Sequence, residues 1–257
     1  MKTYSAFAGV YDRLMEDAPY KMWVDWLTQV FQKQCESSPV ILDVGCGTGT
    51  ILYSLLQAGY NAHGLDMSED MLSIAKAKTE QEGHKPLLLH QDMRNIQAGG
   101  NYDSIVVLCD SLNYLLEEND VRTAFQSFYT HLNEGGTLIF DVHSLDYVEN
   151  VLHDFSFADA ADDVSYIWNS FPTEEKGEVE HELSFFIKQQ KGHYERHDEL
   201  HVQKTFPITV YQTFLEEAGF DVTGIYADFS FEEPVENSER IFFVAKKDCT
   251  NSKKEVN

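Results

Sequence analysis

Basic side chains are scarce in this sequence. Its 257 residues include 19 Lys and Arg against 43 Asp and Glu, which gives a formal net charge of −24. Such a charge repels nucleic-acid phosphates and anionic lipid headgroups at long range, so neither DNA nor a membrane is expected as a partner. A structured RNA held by a local basic patch is not excluded by net charge alone.

Cysteine is also rare, and long apolar runs are missing. The four cysteines form no Cys-x-x-Cys pair, so reduced thiols in the cytoplasm are expected rather than a disulfide framework. No run approaches the roughly 18 apolar residues that a membrane-spanning helix requires, and residues 1–7 do not resemble a charged leader before an apolar stretch. We therefore expect a soluble, cytoplasmic protein.

What is present is a series of short apolar runs that each end on aspartate. If these runs are parallel strands, their carboxylates lie together at the sheet edge where open α/β sheets bind ligands. Strands covered by helices on both faces carry continuous apolar runs of this kind. The pattern indicates an enzyme that uses a small-molecule cofactor. The five runs are Val40–Asp43, His63–Asp66, Leu87–Asp92, Ile105–Asp110 and Leu138–Asp141.

The spacing of the remaining segments predicts how the chain is divided. Helical patterns alternate with the strands up to residue 152 and resume at 207–247, which predicts an α/β core with a parallel sheet. Residues 153–206 alternate apolar with polar side chains and predict a small antiparallel β lid inserted into that core. The last two strands of the core follow each other without a helix and predict a hairpin. Residues 248–257 are polar and are expected to form a flexible tail.

A glycine-rich turn follows the first strand, in Asp43-Val-Gly-Cys-Gly-Thr-Gly49. Glycines let the backbone approach a ligand closely, and the N-terminus of the next helix offers free N–H groups to a carboxylate. Taken alone, the turn is also compatible with a tight strand-to-helix connection. Its spacing is Gly-x-Gly-x-Gly, not the Gly-x-Gly-x-x-Gly fingerprint of dinucleotide enzymes, and no Gly-Lys-Ser/Thr follows as in nucleotide-triphosphate loops.

At this point the sequence resembles the class I S-adenosylmethionine-dependent methyltransferases, whose first motif matches Leu42–Gly49. Further likenesses are an aromatic N-terminal arm with Tyr4, Tyr11 and Asp12, the segment Asp110–Tyr114, and the antiparallel insertion. The likeness extends from Tyr4 to Lys246. It implies a Rossmann-like sheet of seven mostly parallel strands whose last strand is antiparallel, with S-adenosylmethionine as cofactor. None of these motifs identifies the methyl acceptor.

The resemblance also implies roles at the nucleoside end of the cofactor. Asp66 would accept hydrogen bonds from both ribose hydroxyls, and its position 23 residues after Asp43 (66 − 43) suits a strand–helix–strand unit. Met67 would pack on the adenine, Asp92 would bind its amino group, and Met93 would lie beside it. The other implied contacts are Asp43, Gly45, Cys46 and Gly47 at the methionine moiety, Cys109 and Asp110 at the sulfonium, and Tyr4 or Tyr11 over the site.

The acceptor side of the site is less defined. Alignment of the reactants alone supplies much of the catalysis of methyl transfer, so a general base is optional. The candidates are Asp110, His143 and His201, and each has a structural reading as well. His201 shares a strand face with His197, Glu195 and Glu199; a solvated polar face is favoured there over a metal site, and no metal is expected. The opposite face, with Leu200, is predicted to look into the cleft.

Four hypotheses for function follow. The leading one is methyl transfer to a small molecule, and the second is methyl transfer to tRNA or a ribosome-associated partner. A nicotinamide-dependent oxidoreductase is disfavoured by the glycine spacing, and a catalytically inactive cofactor sensor is the fourth. The turn Leu108–Tyr114 lacks the Pro-Pro-aromatic signature of DNA base amino-methylases, which disfavours DNA. The sequence does not determine the oligomeric state.

Overall fold

The computed structural model describes residues 11–13, 15, 18–34, 39–97, 100–189 and 192–248. The helices are α1 (Tyr20–Gln34), α2 (Thr50–Gln57), α3 (Glu69–Gln81), α4 (Glu118–His131), α5 (Leu145–Asn150) and α6 (Ile208–Ala218). The strands are β1 (Val40–Val44), β2 (Asn61–Asp66), β3 (Leu88–His90), β4 (Tyr102–Val107), β5 (Leu132–His143), β6 (Ser156–Ala160), β7 (Val164–Pro172), β8 (Glu178–Lys188), β9 (Tyr194–Lys204), β10 (Phe220–Ala227) and β11 (Arg240–Lys247). Short 3-10 helices cover Ser111–Tyr114 and Leu152–Asp154.

The larger sheet has seven strands in the order β10-β11-β5-β4-β1-β2-β3. Strands β1 to β5 pair in parallel, whereas β11 is antiparallel to both of its neighbours, β5 and β10. The predicted α/β class, with a mostly parallel sheet of seven strands and an antiparallel last strand, is confirmed. The predicted hairpin of the last two strands is the β10–β11 pair.

Alternate side chains of the central strands serve two separate apolar layers. On β1, Ile41 packs with the α1 residues Trp26 and Leu27 on one face of the sheet. Its neighbour Leu42 belongs to the cluster on the other face, which contains Phe125 and Phe128 of α4. Both faces are therefore buried, as the continuous apolar runs predict. This burial fixes the strand ends, and with them the edge that carries the aspartates.

Strands β6 to β9 form a separate antiparallel sheet in the order β6-β7-β8-β9. Val164 and Phe185 of this second sheet pack against Met71 of α3 and against Tyr11. Phe185 is fully buried there and belongs to the apolar core between this sheet and α3. The strands span 156–204, which lies inside the predicted insertion. The limits of the core and of the insertion stay a prediction. The tail also stays a prediction, because beyond Asp248 it lies outside the described residues.

Among the helices of the described ranges, none has the length and apolarity needed to cross a membrane.

Candidate functional site

The glycine turn between β1 and α2 is a backbone cradle. Gly45 has a φ of +71°, and a Cβ there would lie 2.7 Å from the Cβ of Ser111. Gly47 has a φ of +53°, and a Cβ there would meet no heavy atom within 4 Å. The first glycine therefore lets the turn pack against the residues that follow β4. The second leaves space beside the backbone into which a ligand fits.

The amide groups of this turn are used within the protein. The N–H groups of Gly45 and Cys46 donate to Leu65 O at 2.7 and 3.0 Å. The N–H of Gly47 donates to Asp66 Oδ2 at 2.8 Å. These three N–H groups, which the resemblance assigns to the methionine moiety, thus hold the turn against β2 instead. Contact of the three residues with the cofactor through their remaining atoms stays a prediction.

Asp43, at the end of β1, is a buried acid with an unmet bonding capacity. It is 3% exposed, and within the described part of the chain its Oδ2 has no hydrogen-bond partner. Burial and the nearby Asp66 raise the pKa of Asp43 to about 7. A ligand ammonium group would both satisfy the oxygen and favour its ionised form. Asp43 therefore fits the amino group of S-adenosylmethionine.

Asp66, at the end of β2, is held with both oxygens in fixed positions. Oδ2 accepts from Gly47 N, and Oδ1 accepts from Ser68 N at 2.8 Å. Burial raises the pKa of Asp66, and the backbone N–H donors oppose that effect. Each oxygen keeps further lone-pair capacity, so a vicinal diol could donate one hydrogen bond to each. This arrangement fits the implied ribose contact.

The end of the edge beyond β3, where the resemblance puts the adenine, contains a residue that sequence reasoning missed. Arg94 pairs with Asp92 through Nε and a terminal nitrogen, with contacts of 2.6–3.1 Å, and also reaches Asp120 at 2.7 Å. The hydrogen bonds from Arg94 lower the pKa of Asp92 despite some burial. Met93 lies beside the glycine turn, its Cε 3.9 Å from the Cβ position of Gly45. Met67 is 67% exposed, so it has a free face for an adenine ring.

At the end of β4 the backbone is strained. Cys109 and Asp110 have φ values of +54° and +52°, a region that non-glycine residues seldom occupy. Their N–H groups donate to Asp141 Oδ1 and Oδ2 at 2.9 and 3.2 Å. Trp23 Nε1 also donates to Asp141, at 3.0 Å. Asp141 is fully buried and serves as structural support for this turn.

Arg240 of β11 joins the last two aspartates. Its guanidinium donates to Asp141 Oδ2 and, at 3.1 Å, to Asp110 Oδ1. Gln203 of β9 donates to Asp110 Oδ2 at 2.8 Å. Burial raises the pKa of Asp110, but His143, Arg240 and these hydrogen bonds outweigh it and lower the value to about 2. Asp110 is thus a fixed anion, and this geometry disfavours it as the proton acceptor among the candidate bases.

The two candidate histidines lie on different sheets, His143 at the end of β5 and His201 on β9. His143 Nε2 is 3.6 Å from Asp110 Oδ1, and its Nδ1 has no hydrogen-bond partner among the described residues. His201, on β9, has Nδ1 3.4 Å from the Tyr114 hydroxyl. Burial lowers the pKa of each imidazole to about 4. Both are therefore neutral near pH 7 and retain a ring lone pair for a proton.

The orientation of β9 corrects a sequence prediction. The face predicted to look into the cleft is the outer one: Leu200 is 59% exposed. Glu199, His201 and Gln203, on the face expected to be solvated, are buried instead, at 8%, 8% and 6% exposure. An alternating strand reveals that it has two faces, but the side that is covered depends on the neighbouring elements. Within the described ranges, no group of three or more His, Cys, Asp or Glu is placed to hold a metal ion.

Residues 11–13 connect the two sheets across the site. Tyr11 is hydrogen-bonded to Tyr20, and burial, followed by the neighbouring Tyr20, raises the pKa of Tyr11. Asp12 accepts from Thr48 in the glycine turn and pairs with Lys78 of α3 at 2.8 Å. Arg13 pairs with Asp163 of the second sheet at 2.6 Å. Tyr4, the other aromatic residue predicted to close the site, lies outside the described residues.

Comparisons with known proteins agree with this geometry. The family model described as a methyltransferase domain matches residues 41–136. A Geobacillus sp. (strain WCH70) protein that is assigned by name to the methyltransferases is 44% identical over 246 residues, 95% of this chain and 100% of its own length.

Solved and characterised proteins extend the comparison. The crystal structure of an S-adenosylmethionine-dependent methyltransferase from Clostridium acetobutylicum superposes with a TM-score of 0.85 at 30% identity, covering 95% of this chain and 99% of that one. A dTDP-3-amino-3,4,6-trideoxy-alpha-D-glucopyranose N,N-dimethyltransferase of Streptomyces venezuelae is 30% identical over 135 residues, 51% of this chain and 55% of its own.

Proposed function

The chain belongs to the class I S-adenosylmethionine-dependent methyltransferases, and from that premise we propose that it methylates a small molecule. The observation that carries this proposal is the cover over the acceptor side of the site. The buried face of β9 lies against the carboxyl edge of the seven-stranded sheet, where Gln203 contacts Asp110 and His201 contacts Tyr114. An edge covered in this way suits a compact acceptor better than an extended one.

The residues around the glycine turn fit the methyl donor. Asp66 offers both oxygens to the ribose hydroxyls, Asp43 offers an unpaired oxygen to the amino group, and the open side of Gly47 admits the methionine moiety. Asp92, with Met67 and Met93, is proposed for the adenine. When bound, the cofactor supplies a methyl group on a positively charged sulfur, which is an activated donor.

The contribution of the protein is mainly alignment and exclusion of water. The second sheet and residues 11–13 cover the edge, and Asp110 is fixed from two sides by Arg240 and Gln203. Well-aligned reactants gain roughly 7–11 kcal/mol over free encounter in model reactions, which is a large part of what methyl transfer needs. If the acceptor releases a proton, neutral His143 or His201 is placed on the acceptor side to take it.

The charge around the site supports a small molecule over RNA. Arg240, a cation of this edge, has its side chain 14% exposed and is paired with both Asp110 and Asp141, so it is not available to a phosphate backbone. Farther out, Lys204 pairs with Glu175 and Glu178, at 3.3 and 3.7 Å. The Streptomyces venezuelae relative, by its name, acts on a nucleotide-linked amino sugar. A compact polar acceptor of that general size is consistent with the cover described above.

The proposal is tested with methyl-labelled S-adenosylmethionine and an extract from cells that lack the protein. The extract is split into a low-molecular-weight fraction and an RNA fraction, and each is incubated with the purified chain. We expect label in the low-molecular-weight fraction. Label confined to RNA would overturn the small-molecule proposal, and tight cofactor binding with no labelled product in either fraction would favour a sensor.

A further inference from the structure

A continuous series of hydrogen bonds runs from the second sheet to Asp110. Trp168 Nε1 donates to His181 Nδ1 at 3.1 Å, and the Ser170 hydroxyl lies 2.7 Å from the same nitrogen. His181 Nε2 is 3.3 Å from Gln203 Oε1, and Gln203 Nε2 donates to Asp110 Oδ2 at 2.8 Å. The series joins β7, β8 and β9 to the turn that follows β4.

The ends of the series fix the direction of every bond in it. An indole N–H is only a donor and a carboxylate is only an acceptor. Because Trp168 donates to Nδ1 of His181, the ring proton of a neutral His181 is on Nε2. That N–H donates to the carbonyl oxygen of the Gln203 amide, which leaves the NH₂ group to face Asp110. Each member can therefore adopt one orientation only.

Burial makes this orientation hard to exchange with water. Ser170, His181 and Gln203 are 2%, 4% and 6% exposed. Burial lowers the pKa of His181, which keeps the imidazole neutral. Breaking one bond leaves a buried polar group unsatisfied, and such a group is costly. The series is consequently a stiff connection, in contrast to the solvent-exposed ion pairs elsewhere on the second sheet.

We propose that His181 is a positioning residue for methyl transfer: it orients the Gln203 amide, which holds Asp110 and keeps the second sheet seated on the site. Arg240 holds one Asp110 oxygen from the seven-stranded sheet, and Gln203 holds the other from the second sheet. Without the hydrogen bond from Gln203, the Asp110 carboxylate and the second sheet lose their alignment. The inference rests on the proposed function in placing Asp110 beside the transferred methyl group.

Two substitutions of similar size separate this role from simple packing. In His181→Gln the side-chain NH₂ reaches the place of the imidazole Nε2 and still donates to Gln203. In His181→Asn the amide reaches only the place of Nδ1. We expect His181→Gln to keep kcat within about threefold and His181→Asn to lower it by about tenfold or more, with KM for S-adenosylmethionine unchanged in both. Label transferred to the low-molecular-weight extract is the measure.

A spectroscopic measurement tests the same series without any acceptor. In nitrogen-15 NMR spectra, His181 of the native chain should show the neutral tautomer with its proton on Nε2. The side-chain NH₂ signals of Gln203 should move in His181→Asn and stay near their native positions in His181→Gln. A proton on Nδ1 in the native chain would overturn the proposal, as would equal kcat values for the two variants.

Controls address folding and the neighbouring chemistry. His153→Asn removes a nearby histidine whose Nε2 bonds Glu178 O at 3.2 Å and which is outside the series; it should leave kcat unchanged. If His181→Asn does not fold, Gln203→Glu takes its place, because it still accepts from His181 but cannot donate to Asp110. It should show the same loss, and native-like kcat would refute the role. If the native chain labels no small molecule, the proposed function fails while the tautomer still tests the series.

Discussion

The two halves of the sheet edge use the same residue type for different purposes. On the β1–β2 side, Asp43 has an oxygen that finds no partner among the described residues, and Asp66 accepts one backbone N–H on each oxygen. On the β4–β5 side, Asp110 and Asp141 share the guanidinium of Arg240. The oxygens of the first pair can still accept hydrogen bonds from a ligand, whereas those of the second pair are bonded to groups of the protein. An aspartate at a strand end therefore marks the edge, and its partners decide whether it binds or supports.

Removing the cation of the supporting half should have the largest effect. Arg240→Met leaves Asp110 and Asp141 buried without their shared counter-charge, so we expect a loss of about 3–5 kcal/mol in the free energy of unfolding. Urea denaturation measures it. The control is Arg196→Met, which removes an exposed pair with Asp198 and should cost less than about 1 kcal/mol. Similar losses in the two variants would contradict the comparison.

Asp66→Asn should mainly affect binding. One amide nitrogen replaces an acceptor oxygen, so a charge-assisted hydrogen bond to the ribose is lost, about 1.5–3 kcal/mol or roughly 10- to 150-fold in the dissociation constant. Titration calorimetry with S-adenosylhomocysteine measures this loss. Asp221→Asn, on the exposed face of β10, is the matched control and should bind normally. Unchanged affinity in Asp66→Asn would remove the proposed ribose contact.

Asp43 should make cofactor binding depend on pH. Its pKa is raised to about 7 in the folded chain, so the carboxyl ionises, and attracts an ammonium group, as the pH rises from 6 to 8. We expect affinity for S-adenosylhomocysteine to increase by up to about tenfold over this range, because one pKa unit corresponds to about 1.4 kcal/mol. Because the pKa of Asp43 is higher in the folded chain than in the unfolded chain, its contribution to folding stability falls as the pH rises from about 4 to 7. In Asp43→Asn, the pH dependence of the affinity and that of the folding stability should both become weaker. If the affinity of this variant still rises between pH 6 and 8, another group causes the dependence.

The smallest effect is expected at Arg94. Its pair with Asp92 is about one-third exposed on both sides, and pairs of this kind contribute roughly 0.2–1 kcal/mol. Arg94→Gln should therefore change affinity for S-adenosylhomocysteine less than about fivefold in calorimetry. Met93→Ala is the companion variant at the same turn. If Arg94→Gln lost as much affinity for S-adenosylhomocysteine as Asp66→Asn, Arg94 would be essential for cofactor binding.

Sequence reasoning reached the binding half more completely than the supporting half. Asp43, the glycines and Asp66 lie close together along the chain, and their spacing follows from one strand–helix–strand unit. Arg240 is 99 positions from Asp141 and 130 from Asp110 along the chain, so no local sequence pattern predicts these ion pairs. Gln203 was missed because the buried side of β9 is polar, and His181 because it lies on β8 between the buried apolar residues Val179 and Phe185. A strand with polar residues on both faces gives no sign of which face is covered.

The three consecutive residues Tyr11, Asp12 and Arg13 connect the glycine turn to the second sheet mechanically. Neighbouring Cα atoms are held about 3.8 Å apart, so a pull on Arg13 is transmitted at once to Asp12. Arg13 is paired with Asp163 on the second sheet, and Asp12 accepts a hydrogen bond from Thr48 on the glycine turn. Movement of the second sheet away from the edge would therefore pull on the glycine turn. A displacement of the second sheet and a displacement of the glycine turn are therefore linked through one short peptide segment.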